Sequence, residues 1–262
     1  MKQRIVFLQI FVVLCLGLWP VASGAEELPA VNELLQKIQD GLDLTADVSA
    51  RVVMTQQKAE QGTKTVDMIY YRRDTDDSFL IVMVAPENEK GNGYLRVGEN
   101  FWMYRVNTRI FQHINRDESI AGTDADGDDF ENRKLTELYQ ATVDASGQAV
   151  PPVQSMLGKI PVYQFNVTAK INDVDYPKKT YWIRTDNFLP LKEQSYSLSD
   201  TLMQTAYYRK YTEINQRFVP IEMLFIDEFE KGNKTIVEIA NIATDKLDDK
   251  IFTKAYLENL SK

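Results

Sequence analysis

The chain of 262 residues contains one histidine and one cysteine, and those two counts restrict its chemistry sharply. Nucleophile–base pairs need an imidazole or thiol in partnership, and zinc, haem and iron–sulfur sites usually need several such ligands. His113, in the run Phe111-Gln112-His113-Ile114, has the chemistry of a general base. It has no thiol to activate, and Ser119 nearby lacks the glycines of a nucleophile elbow, so a structural or surface histidine is the simpler reading. Glu228 and Glu230 fall on one strand face at a spacing that paired carboxylates can use, but charges on a solvated strand face have the same pattern. Gly91-Asn92-Gly93 lacks the third glycine and the following helix of a phosphate-binding loop and reads as a tight turn.

An acidic stretch is the remaining candidate for metal chemistry. Asp124, Asp126, Asp128 and Asp129 gather carboxylates of the kind calcium prefers. The EF-hand spacing fails, because Asp129 stands at the sixth position from Asp124, where glycine is required, and Leu135 stands at the twelfth. A solvated loop whose charges cap the next helix explains the same residues. Asp124, Asp126 and Asp128 are therefore weak metal candidates, and no cofactor is expected.

Composition narrows the class further. With 30 basic and 38 acidic residues the net charge is -8, the wrong sign for a nucleic-acid-binding face. Apolar residues make up 44% of the chain, too many for a disordered one. Residues 1–24 have the form of a secretory signal peptide: Lys2 and Arg4, an apolar run from Ile5 to Trp19, then Ala22-Ser23-Gly24 before Ala25. Cleavage there would remove Cys15 and take the net charge to -10. A rival reading makes Val12-Val13-Leu14-Cys15 a loose lipobox with Cys15 lipidated. Residues 25–262 are expected to form a single exported domain.

The elements follow from hydrophobic period. Val31, Leu34, Leu35, Ile38 and Leu42 share one helical face within 28–42. From residue 46 the period becomes two, with strand-like runs separated by short turns as far as residue 243. A second, short helix is expected over 129–141, residues 144–158 read as loop, and a last helical turn is expected from Ala255 to Leu260. Short connections between about ten or eleven strands imply an antiparallel meander. A sheet that wide must curl, which makes a mainly β (α+β) half-barrel with covering helices.

Several motifs then occur in a recognisable order. Ala85-Pro86 to Lys90-Gly91, Leu95-Arg96-Val97-Gly98 and Phe101-Trp102-Met103-Tyr104 form the first group. Ser119 to Phe130 follows, then Trp182-Ile183 with Leu189-Pro190-Leu191, Val219-Pro220, and Phe252-Thr253 with Leu257. In that order the chain resembles the outer-membrane lipoprotein-sorting proteins of the LolA-like superfamily, particularly a branch with a longer acidic loop. It departs from the family pattern at Ala125 and Gly127, where aromatics are usual, and at Phe218, where tryptophan is common. The resemblance implies an incomplete antiparallel barrel with helices as a lid. It also implies an apolar cavity that carries the acyl chains of a lipoprotein or lipid across the periplasm, between inner-membrane donor and outer-membrane acceptor proteins.

The strand pattern suggests side chains for such a cavity. Leu80, Leu95, Trp102, Tyr104, Phe165, Val167, Trp182, Met223 and Phe225 are the expected lining, with Arg72 and Arg73 as headgroup or partner contacts. Phe79 to Val84 is apolar throughout, as is Phe101 to Tyr104, which suits either a strand with lipid on one face or an ordinary buried strand. The leading expectation is a non-enzymatic carrier. The alternatives are an envelope-anchored interaction protein with a filled core, or a hydrolase using His113 or the acidic loop.

Overall fold

The computed structural model describes residues 28–115, 118–123, 125, 130 and 133–260. The chain enters through α1 (Val31–Leu42) and continues as β1 (Val48–Lys58), β2 (Gly62–Arg73), β3 (Ser78–Ala85), β4 (Gly93–Val97), β5 (Asn100–Arg105) and β6 (Ile110–His113). After a long connection come α2 (Leu135–Leu138), β7 (Tyr139–Ala141) and β8 (Val153–Leu157). The second run of strands is β9 (Ile160–Ala169), β10 (Lys178–Arg184), β11 (Pro190–Tyr196), β12 (Leu202–Ile214), β13 (Arg217–Asp227) and β14 (Lys234–Ala243). A 3₁₀ turn, Asp249–Phe252, and α3 (Lys254–Leu260) end the described chain.

All fourteen strands belong to one antiparallel sheet in the order β6-β5-β4-β3-β2-β1-β14-β13-β12-β11-β10-β9-β7, with β8 also paired to β9. The expected single meander is thus two meanders joined at a seam, where β1 pairs with β14. The strands β6 and β7, consecutive in the chain, lie at opposite edges of the sheet. The connection between them must therefore cross from one edge to the other.

The strand count exceeds the expected ten or eleven, and two local expectations fail with it. Among the described residues the helix expected over 129–141 is the single turn α2, because Tyr139–Ala141 is drawn into strand pairing with Val167–Ala169 of β9. Tertiary pairing there overrides helical period. The loop expected over 144–158 contains β8, which folds back on β9 so that Leu157 faces Ile160 across a turn at Gly158. The N-terminal helix forms from Val31 rather than 28, and the C-terminal helix from Lys254.

Cross-strand registers define two faces. On the inner face, Ile239 of β14 stands beside Val52 of β1, Met68 of β2 and Met83 of β3. The helix α1 lies on this face, close to β7 and β9 on one side and β13 on the other, as a helix inside a curled sheet should. Its buried Val31, Leu34, Leu35 and Ile38 pack on Phe165, Val167, Tyr181 and Ile183. The crossing segment covers the other half of the same face, where Ile114, Ile120 and Phe130 pack with Met68, Tyr70, Phe79 and Ile81. The Tyr70 hydroxyl donates to the Phe130 carbonyl at 2.5 Å, and the Ala121 amide donates to the Tyr94 hydroxyl at 2.7 Å. On the outer face the C-terminal segment inserts Ile251, Phe252 and Leu257 against Leu80, Val82, Leu95 and Tyr104. β3 is thereby covered on both sides as far as Met83, which is why Phe79 to Met83 carries no polar residue.

Candidate functional site

Between the two covered halves of the inner face runs a strip contributed by β12, β13 and β14. Met223 pairs with Val237 across β13 and β14 and with Tyr208 across β12 and β13, and Phe225 pairs with Ala206 and Thr235. Met223, Phe225, Val237, Ile239 and Tyr208 are half-buried. A register shift between Tyr208 and Lys210 returns Tyr211 to the inner face, where its ring stacks near that of Tyr208 with centroids 6.4 Å apart. The result is an apolar and aromatic floor, wetter than the cores at either end.

A buried polar cluster adjoins this strip on β10 and β11. The Lys179 ammonium donates to Glu193 Oε1 at 2.6 Å, Ser195 Oγ donates to the same oxygen at 3.3 Å, and the Tyr208 hydroxyl donates to Oε2 at 3.4 Å. The side chains of Lys179 and Glu193 are only 17% and 9% exposed. Burial by itself would lower the lysine pKa, but the Glu193 charge, the neighbouring tyrosines and the hydrogen bond to Glu193 together hold it above the ordinary value. Burial, reinforced by Glu193, pushes the Tyr208 and Tyr181 hydroxyls well above the ordinary tyrosine range. Both therefore remain neutral donors at any physiological pH.

The residues anticipated for a cavity separate onto the two faces. Phe165 and Val167 are buried beneath α1, and Met223 and Phe225 lie on the half-buried strip. Leu80, Leu95 and Tyr104 are on the outer face, fully enclosed by the C-terminal segment, and Trp102 packs at the border of that cluster. Trp182 is also on the outer face, with the Lys192 ammonium 4.2 Å from its ring centroid. One strand parity cannot place all nine on one surface, because β3, β4 and β5 are apolar on both sides. Tyr208, Tyr211, Val237 and Ile239 were absent from the anticipated set; alternation along β14 signals the last two, but the β12 bulge hides Tyr211.

Arg72 and Arg73 are engaged within the chain. Arg72 pairs with Asp74 at 2.8 Å, and Arg73 donates to Asp76 and Asp249 at 2.6 Å each while lying over the Phe252 ring. Arg73 thus latches the C-terminal segment to the β2–β3 turn. Beside it is an open cleft of about 670 Å³ lined by Ala46, Asp47, Thr75, Asp76, Thr244, Lys246 and Asp249. A second pocket, of about 10 Å³, lies between Arg72, Asp74, Phe79 and Phe130. Both have walls of mixed character, the second formed in part by Phe79 and Phe130, and neither borders the apolar strip. His113 is exposed, its ring edge-on to Trp102 at 6.0 Å. The Glu228 carboxylate accepts from Thr205 Oγ1 at 2.6 Å, and Glu230 accepts from the Asn233 amide at 2.8 Å, so both brace a turn. Asp124, Asp126 and Asp128, Cys15 and the signal-like segment lie outside the described residues. Among the described residues no helix is long and apolar enough to cross a membrane.

Comparison with known proteins agrees with this architecture. A family model described as "Uncharacterized protein" matches residues 75–259. No curated protein matches the sequence. A LolA superfamily protein from Nitrosomonas europaea is 18% identical, with 87% of this chain and 99% of that one aligned at a TM-score of 0.70. A putative outer membrane lipoprotein-sorting protein domain from Vibrio parahaemolyticus is 15% identical over 87% and 97% of the two chains, TM-score 0.71. A DUF1329 family protein from Desulfovibrio piger is 20% identical over 86% and 97%, also with a TM-score of 0.71. The chain belongs to the family defined by the model over 75–259, and its fold is that of the LolA superfamily.

Proposed function

We propose that the protein is a non-enzymatic periplasmic carrier that holds acyl chains of a lipoprotein or lipid on the inner-face strip, between an inner-membrane donor and an outer-membrane acceptor. The observation that carries this reading is the row Met223, Phe225, Val237 and Ile239. Val237 and Ile239 pack at the margin of one core and Met223 and Phe225 lie beyond it, and all four stay half-buried on the side of the sheet that α1 and the crossing segment overhang. Burying an acyl chain there gains roughly 0.8 kcal/mol per methylene, so about a dozen carbons suffice for useful affinity without a specific polar contact. The LolA-superfamily fold supports the same reading.

Delipidated protein should bind one or a few molecules of a fluorescent fatty acid. Phe225→Asp and, separately, Val237→Asp should each weaken binding by about 100-fold, since a carboxylate on the strip must be desolvated by the ligand. Circular dichroism melts of both variants exclude unfolding as the cause. Absence of binding by the native protein at micromolar ligand overturns the proposal.

A second reading is favoured by one observation. Both ends of the inner face are filled by the chain's own side chains, with Leu34, Leu35, Met68 and Ile120 almost wholly enclosed. An envelope-anchored interaction protein would need no more space than this. Mass spectrometry of the mature N-terminus separates the readings: Ala25 as the first residue supports the soluble carrier, and acylated Cys15 supports the anchored protein.

A further inference from the structure

Three successive β-hairpins end at the same rim of the sheet, and each turn displays one large apolar side chain to solvent. Ile171 in the β9–β10 turn is 41% exposed, Leu198 in the β11–β12 turn 77%, and Phe229 in the β13–β14 turn 67%. Isolated exposed apolar residues are ordinary; one at each of three neighbouring tips is a pattern. Strand spacing puts successive hairpins about 10 Å apart, so the tips span about 20 Å.

These turns are braced. In the second, the Ser197 amide donates to the Thr201 carbonyl at 2.9 Å, the Thr201 amide donates back to Ser197 Oγ at 3.2 Å, and Lys178 Nζ donates to the Leu198 carbonyl at 3.0 Å. In the third, Asp227 Oδ1 accepts from the amides of Phe229 and Glu230 at 2.9 and 2.7 Å, and buried Asn233 ties the turn to Ala59. The Glu228 amide donates to the Met203 carbonyl at 2.8 Å, joining the two hairpins. The backbone thus holds Leu198 and Phe229 outward, at the cost of hydrating both.

We infer that this rim seats the protein on a zwitterionic lipid bilayer, with Ile171, Leu198 and Phe229 entering the interface. Three separate knobs with polar residues between them offer no groove or continuous face to a folded protein partner, whereas a fluid interface admits knobs without matching pockets. Charge at the rim is mixed and slightly acidic: Lys170, Lys178, Lys231 and Lys234 stand among Asp173, Asp175, Asp200, Asp227, Glu228 and Glu230. That pairing suits headgroups carrying both an ammonium and a phosphate and gives little pull toward an anionic surface. The strip extends toward this rim, because Phe225 precedes by two residues the Asp227 that organises the Phe229 turn. The inference rests on the carrier reading and supplies its membrane contact.

Flotation of the purified chain with phosphatidylcholine vesicles tests it. The native protein should float, with little change between low and high salt, and the triple variant I171S/L198S/F229S should lose at least about tenfold in partitioning. Leu198 and Phe229 are largely exposed and Ile171 partly so, and none lies on the strip, so the variant's fatty-acid binding in solution should match the native protein's and its melting curve should stay close to it. A native protein that stays at the bottom of the gradient, or a triple variant that floats equally well, overturns the inference. So does a concentration-dependent dimer in sedimentation that the triple variant abolishes while neither protein floats, since the tips would then contact a second copy. Failure of the carrier reading looks different: vesicle binding persists while the fluorescent fatty acid does not bind.

Discussion

Glu193→Ala is expected to lower the unfolding free energy by about 3–5 kcal/mol, because it strands the Lys179 ammonium among aromatic rings. Lys179 stands beside Val167, with the Tyr139 ring centroid 5.3 Å from its ammonium. Loss of the 2.6 Å partner leaves a charge that water barely reaches. Removing both charges, as in Lys179→Met with Glu193→Leu, should restore most of the stability, since a buried pair is often replaceable by apolar groups of similar volume. The comparison by urea unfolding separates a cost of stranded charge from a cost of lost packing. A loss below about 1 kcal/mol in Glu193→Ala would place the pair with solvent-screened surface bridges instead. The pH dependence has a definite sign. The folded-state pKa of Lys179 is raised, so its contribution is fully present below the ordinary lysine value of about 10.4 and disappears as the pH climbs from there through the folded-state value. Stability near neutral pH should not register this group at all, and alkaline titration should.

Leu257→Ala should be the most damaging single change on the outer face, at about 2–5 kcal/mol. Leu257 is fully buried against β4 at Gly93, where the strand has no side chain. A Cβ on Gly93 would stand 2.5 Å from Leu257 Cδ1 and 2.7 Å from the Ile81 carbonyl oxygen, closer than real contacts allow. Gly93→Ala should therefore cost about 1–3 kcal/mol through overpacking. The two changes should couple: in the double variant the clash with Leu257 vanishes while the clash with the Ile81 carbonyl remains, so the total falls short of the sum. Thermal melts measure this, at about 2–4 °C per kcal/mol for a chain of this size. Strict additivity would mean that α3 does not sit in the Gly93 gap.

Legibility in the sequence differed by length scale. Alternation placed Val48, Val52 and Met54 on one face of β1 and Phe165 and Val167 on one face of β9, and the order of short motifs pointed to the LolA-like architecture. Parity says which residues share a face but not which face is inner, and β3 illustrates the loss. Leu80 and Ile81 are equally apolar because the C-terminal segment covers one and the crossing segment neighbours the other. Leu80, Leu95 and Tyr104 could be assigned to the outer face only once the resting place of Leu257 was known. The seam between β1 and β14 and the short pairing of β7 with β9 are set by contacts across most of the chain, which no local window contains.

That seam also governs when the molecule can become itself. Ser49 finds Ala243, and Gln57 finds Lys234, only after nearly the whole polypeptide has been made. Joining partners so distant carries a large loop-closure entropy and slows folding relative to hairpins. A chain emerging from a ribosome or threading a translocation pore would present β1 with an open edge until its last strand arrives. Closing the seam is consequently a late step, and a molecule cut short before β14 gains two further open strand edges, on β1 and β13, that invite aggregation.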